Sequence, residues 1–235
     1  MKKLLFSILL IYASVTVFAQ APTKKSSIFL DLGPTFSTGD FASKNASDEK
    51  DGLATAGFFF DLGYQYQFSK NVGVIAMFNW KINGIDKEAL NYSLPTGSGG
   101  SLSVTTTTWR MVSVLGGLTQ SFALTRNEKL AIEFRELAGV QFSSSPEINA
   151  NYSIPGIGTG TSKQKSSDAT SFSYLLGIGF KYWLTENFGL KLMADYHSSN
   201  PKFTVITYPA DAPVEHQSEQ KIGTLNVGLG LVIGF

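Results

Sequence analysis

From Gly223 to the C-terminal Phe235, Leu225, Val227, Leu229, Leu231, Ile233 and Phe235 fall on one face of an extended chain. Thr224, Asn226, Gly228, Gly230, Val232 and Gly234 fall on the other. A period of two makes this a strand with one greasy face and one small or polar face. The same alternation recurs over Ile28–Phe36, Phe58–Phe68, Val72–Ile82, Leu102–Phe122, Leu130–Phe142, Phe172–Leu184 and Phe188–Tyr196, giving eight strands. A chain that ends on such a strand suits a barrel closed by its last element.

The connections run long, short, long, short, long, short, long. The long ones span 37–53, 83–101, 143–170 and 198–221. An even strand count with short turns at one rim and long loops at the other is the pattern of a transmembrane β-barrel. A soluble sandwich gives no reason for that alternation in loop length and would make Phe58–Phe68 an unusually aromatic core. The short turns share a hydroxyl–charge–Asn core: Ser69-Lys70-Asn71, Thr125-Arg126-Asn127 (with Glu128 and Lys129 added) and Thr185-Glu186-Asn187. Asn tolerates left-handed backbone angles, which accounts for its place there. Gly63–Val74 aligns without gaps on Gly179–Leu190 as an internal repeat. The fourth strand is about twice the 9–11 residues needed to cross a bilayer, so its Thr-rich first half is expected above the membrane. Asn91-Tyr92-Ser93-Leu94-Pro95 recurs as Asn151-Tyr152-Ser153-Ile154-Pro155, through pairing of the two loops or through shared turn chemistry. Both match the N-glycosylation sequon, as does Asn45-Ala46-Ser47, and all three are read as chance matches.

Met1-Lys2-Lys3 followed by apolar Leu4–Phe18 and the small residues around Ala19 reads as a signal peptide over 1–19, leaving a single barrel domain over 20–235. The absence of cysteine excludes a lipoprotein anchor and disulfides. Removal of Lys2 and Lys3 takes the formal charge from +1 to −1, which argues against nucleic acid as a partner. No Asp/Glu/His cluster has metal spacing and no Gly-rich phosphate loop precedes a helix, so neither metal nor cofactor is expected.

The signal peptide, the eight alternating strands and the ending Leu225-Asn226-Val227-Gly228-Leu229-Gly230-Leu231-Val232-Ile233-Gly234-Phe235 together resemble the small eight-stranded outer-membrane β-barrel family of Gram-negative bacteria. That family includes the transmembrane domain of outer membrane protein A and porin-like proteins. The resemblance implies an all-β, antiparallel up-and-down barrel in the bacterial outer membrane, with termini periplasmic and long loops extracellular. It implies contact with outer-membrane lipid and lipopolysaccharide, and a monomer. It also implies that Leu231, Ile233 and Phe235 form the signal read by the barrel-assembly machinery. Unlike outer membrane protein A, the chain carries no segment for a periplasmic domain after its last strand.

The lumen phase holds Asp31, Asp61, Glu133 and Asp195 with Lys81, Arg135, Lys181 and Lys191, four acids against four bases. An eight-stranded interior is just wide enough for side chains to fill it, and buried charges must pair. The expectation is one connected ion network that plugs the barrel. Folding about Glu186 sets Lys181 opposite Lys191, with Glu133 the acid between them; folding about Lys70 puts Asp61 diagonal to Lys81. Lumen-phase Phe59, Ile75, Met77, Leu115, Leu137, Leu175 and Trp183 fill the rest of the interior. Arg110 points outward near one interface. Glu136 points outward near mid-membrane, opposite Gly116 if the turn folds about Arg126, unless a β-bulge turns it inward. His197-Ser198-Ser199-Asn200 is similar to a segment of the lipid A deacylase barrels, which would imply base, nucleophile and oxyanion roles for His197, Ser199 and Asn200, with an acid from Asp211, Glu215 or Glu219. Against it, His197 shares the inward phase of Asp195. The reading is a non-enzymatic barrel with a structural or surface-interacting role, ahead of a small channel or hydrophobic-ligand conduit, with a deacylase last.

Overall fold

The structure is a computed structural model and describes residues 24–45, 50–91, 100–155, 158–209 and 213–235. The signal peptide, Asp211 and most of Asn91–Pro95 lie outside them. The strands are β1 (Ser26–Thr38), β2 (Ala54–Gln67), β3 (Val72–Ile85), β4 (Ser101–Thr106), β5 (Trp109–Ala123), β6 (Leu130–Ser144) and β7 (Ile148–Ile154). They continue with β8 (Gly158–Gln164), β9 (Asp168–Trp183), β10 (Phe188–Ser199), β11 (Lys202–Pro209), β12 (Val214–Glu219) and β13 (Ile222–Gly234). A 3-10 turn, Gly39–Ala42, follows β1, and the short helix α1, Lys87–Asn91, follows β3. No helix among the described residues is long and apolar enough to cross a membrane.

Eight strands close the barrel in the order β1-β2-β3-β5-β6-β9-β10-β13, all antiparallel, with β13 completing the ring against β1. Their outward phases are the expected ones. Phe58, Leu62, Tyr64, Phe134, Phe172, Leu176, Leu192 and Leu229 are among the exposed apolar side chains, Leu229 to 67%. A band of that composition around a closed sheet is stable only in hydrocarbon, where every backbone polar group is already bonded within the wall.

Two expectations change. The fourth strand is not one rod: the ladder breaks at Thr107-Thr108 into β4 and β5, and β4 belongs to a second, five-stranded sheet, β12-β11-β8-β7-β4. The loops over 143–170 and 198–221 supply the hairpins β7–β8 and β11–β12 of that sheet, and β7 pairs with Ser101–Thr106, the Thr-rich half of the expected fourth strand. The Thr-rich stretch exceeds a membrane crossing and carries on as wall beyond it.

In each short turn the hydroxyl accepts an amide across the turn, and in the longer one Asn127 Oδ1 also accepts from the Lys129 amide at 3.2 Å. Ser69 Oγ accepts from the Val72 amide at 3.0 Å and Thr185 Oγ1 from the Phe188 amide at 3.0 Å; in the longer turn Thr125 Oγ1 accepts from the Leu130 amide at 3.2 Å. The left-handed residue there is Glu128, φ 56°. The extra Glu128 and Lys129 move the fold point to Asn127, so Glu136 pairs with Leu118 rather than Gly116. The β5–β6 register shows no slip, and Glu136 stays outward and exposed without a bulge.

Candidate functional site

The lumen gathers most of the buried polar groups among the described residues. Arg135 on β6 reaches across the interior to two strands. Its Nε donates to Asp195 Oδ1 at 2.8 Å, its Nη2 to Asp195 Oδ2, and its Nη1 to Asp31 Oδ2 at 3.1 Å. Lys191 continues the chain, with Asp31 at 3.3 Å and Glu133 at 3.2 Å, and Glu133 passes it to Lys181 at 2.8 Å. Lys181 and Lys191 face each other across β9 and β10, and Glu133 binds both. Lys181 ends the run on Gln65 Oε1 at 3.2 Å. Three acids and three bases thus form one neutral chain.

Phe29 lies beneath it, 4.3 Å from the Lys191 ammonium at its ring centroid, within an apolar cluster of Ile75, Met77, Leu115, Leu137, Leu175 and Val232. Small residues on β13 make this density possible. A Cβ at position 230 would collide with the Asp31 carboxylate, and one at 228 with the Phe59 ring.

The expected single network falls short by two members. Asp61 lies diagonal to Lys81, but no ion pair joins them. Asn79 donates to Asp61 Oδ1 instead. Lys81 points toward the long-loop rim, with its Nζ 2.8 Å from His197 Nδ1 and 3.0 Å from Thr224 Oγ1. The reason lies in the neighbouring strands: Arg135 occupies the centre of the Asp31–Asp195 layer, and the side chains of His197 and Thr224 lie within hydrogen-bond reach of Lys81.

Above this layer Gln141 donates to Ser199 Oγ at 2.7 Å and to Ser143 Oγ at 2.9 Å, and Ser113 donates to Gln141 Oε1 at 3.3 Å. An aromatic stopper then closes the long-loop rim. Phe41 and Phe203 meet Trp109 edge-on at 5.3 and 5.7 Å, with Met111, Val205 and Ile222 around them. Trp109 Nε1 donates to the Gly52 carbonyl at 3.0 Å, which anchors the first loop over the opening. Sequence reasoning missed this stopper because Phe41 and Phe203 stand alone in polar stretches. It missed Gln65, Asn79, Gln141 and Thr224 because only charged and apolar side chains were weighed in the lumen phase; the phase itself contained them.

The segment His197–Asn200 is dispersed. His197 makes no hydrogen bond to Ser199; its Nδ1 lies 2.8 Å from Lys81 Nζ, and its Nε2 has no hydrogen-bond partner among the described residues. Asn200 donates to the Glu219 carboxylate, and Lys202 lies 3.6 Å from the same group. Among the described residues neither Glu215 nor Glu219 bonds His197. Arg110 points outward at the long-loop end of β5, and Leu231, Ile233 and Phe235 are exposed on the outer face. Outside the wall, Asp86 accepts the Glu88 and Ala89 amides at the start of α1 and pairs with Lys44 at 2.6 Å. The hydrogen bond from Lys44, followed by that from the Ala89 amide, holds the Asp86 carboxyl below its usual range.

A family model described as outer membrane protein beta-barrel domain matches residues 6–233. Among solved structures, the chain is similar to a major outer membrane protein of Thermus thermophilus, at 13% identity and TM-score 0.48, covering 91% of this chain and 100% of that one. It is similar to Neisserial surface protein A at 12% and 0.47, covering 89% and 97%. The attachment invasion locus protein of Yersinia pestis aligns at 19% and 0.40, covering 89% and 98%. No curated protein matches the chain.

Proposed function

The chain belongs to the outer membrane protein beta-barrel domain family, a bacterial outer-membrane barrel family, and on that premise we propose that it is a non-enzymatic barrel with a filled lumen and an interacting surface on its long-loop side. In this reading the termini and short turns face the periplasm, the five-stranded sheet faces outward, and the protein is a monomer in lipid and lipopolysaccharide. Leu231, Ile233 and Phe235 serve as the signal for the barrel-assembly machinery.

The observation that carries the reading is the stacking of two closures in one lumen. The ion chain from Asp195 to Lys181 crosses the interior, and the Phe41–Trp109–Phe203 stopper covers it. Breaking a buried pair by removing one partner costs about 3–5 kcal/mol, so the chain is not readily opened to pass solute. Purified protein in planar bilayers is expected to show no steady, selective conductance. Such conductance would replace the reading with that of a small channel. Deacylation of lipid A that Ser199→Ala abolishes would replace it with a hydrolase.

A further inference from the structure

Directly beneath the aromatic stopper, the lumen pairs a base with a base. Lys81 from β3 and His197 from β10 are both fully buried, and Lys81 Nζ lies 2.8 Å from His197 Nδ1 and 3.0 Å from Thr224 Oγ1. A hydrogen bond between two nitrogens needs a hydrogen on one and a lone pair on the other. An imidazolium facing an ammonium offers hydrogens on both sides and no lone pair. The contact therefore lasts only while the pair is one proton short of full, whichever nitrogen carries the proton.

Of the charged groups that face the pair, Asp195 on β10 and Asp31 on β1 are both bonded by Arg135 from β6. Lys191, Glu133 and Lys181 hold one another nearer the short-turn rim. The lumen faces of β5 and β13 carry no charge, that of β9 carries Lys181 alone, and the stopper above is apolar. Asp61 on β2 remains. Lys81 stands opposite Phe59 and Asp61 opposite Asn79, so the two are diagonal neighbours, a separation of about 7–8 Å that a long side chain spans. Asp61 Oδ1 accepts from Asn79, but its Oδ2 is buried with no hydrogen-bond partner among the described residues. Lys81 thus has one seat at His197 and a second at Asp61 Oδ2.

The first seat supports the stopper. Met111 stands opposite Lys81, and Thr224 stands opposite His197, two residues along the same face of β13 from Ile222. Met111 and Ile222 both belong to the cluster that holds Phe41, Trp109 and Phe203. We propose that the Lys81–His197 contact is a proton-operated latch on the stopper. A proton from the medium occupies the lone pair of the contact, the two like charges part, Lys81 turns to Asp61, and the first loop above Trp109 loosens. The ion chain from Asp195 to Lys181 takes no part, so the latch goes beyond the filled-lumen reading without altering it.

The test uses the full isotope-labelled chain in nanodiscs. His197 and His216 are the two histidines, so His216→Gln assigns the ring signals. Between about pH 7.5 and about 4.5 the His197 ring is expected to titrate, with the Gly52 and Leu53 amides losing protection about tenfold after correction for intrinsic exchange. Asp86 stays ionised over that range, because Lys44 holds its carboxyl below the usual carboxylate values. His197→Gln keeps an acceptor for Lys81 but takes up no proton, and its protection should be constant with pH. Asp61→Asn removes the second seat and should shift the transition to about tenfold more acid. Heat-modifiable gel migration checks that each variant barrel is intact. A His197 ring that does not titrate in the wild-type protein, protection there that is constant with pH, the wild-type pH dependence retained in His197→Gln, or an unmoved transition in Asp61→Asn would overturn the latch.

Discussion

Glu133 is the residue on which the lumen depends most. It is the acid that separates Lys181 from Lys191, and both lysines are almost wholly buried. Glu133→Gln removes a charge but not volume, leaving two ammonium groups facing each other across β9 and β10. Destabilisation of about 3–5 kcal/mol is expected in urea unfolding from lipid vesicles. Adding Lys191→Met should recover part of the loss, because the pairing defect rather than the shape is at fault; a double variant no more stable than the single would refute this. Asp86 shows the opposite regime. Its carboxyl is held down chiefly by Lys44, so its contribution is complete above the usual carboxylate range and fades as pH falls through the lowered value. Acidification to that point should therefore loosen α1 and leave the eight-stranded wall closed. In Asp86→Ala the Glu88 and Ala89 amides should exchange about fivefold faster at neutral pH, in line with the loss of a helix cap.

At the scale of elements, the stopper and the ion chain close the same passage independently. Trp109→Ala deletes the ring that Phe41 and Phe203 both meet and should detach the first loop, read as faster exchange of the Gly52 and Leu53 amides. Conductance should nonetheless stay at baseline, because Lys81, His197 and Arg135 still fill the section below. This division matches what the sequence made legible. Period two located all eight wall strands and their phases, and turn symmetry put Lys181 opposite Lys191. It did not locate Lys81's partner, because a lysine's stem reaches several polar side chains and the choice depends on strands distant in sequence. Nor did it show that the loops fold into strands: β8, Gly158–Gln164, is built of Gly, Thr, Ser, Lys and Gln, with no apolar face to betray it.

The whole molecule is held in place by its lipid-facing band. Leu229 stands mid-strand on β13, opposite Leu32 and Leu192. A lysine there faces hydrocarbon, and Leu229→Lys should cost about 2–4 kcal/mol and reduce the heat-modifiable fraction in vesicles, whereas a lysine at Phe172, near the long-loop rim, should cost far less. The extension beyond the wall obeys different rules. β8 and β11 meet over only three residue pairs, Thr207–Gln164, Tyr208–Lys163 and Pro209–Ser162, displaced by one residue from the register of β9 and β10 below. Mechanically this seam divides the extension into two leaves, β4-β7-β8 and β11-β12. Under thermal load it should open first, splaying the leaves apart while the ring beneath them keeps its shape.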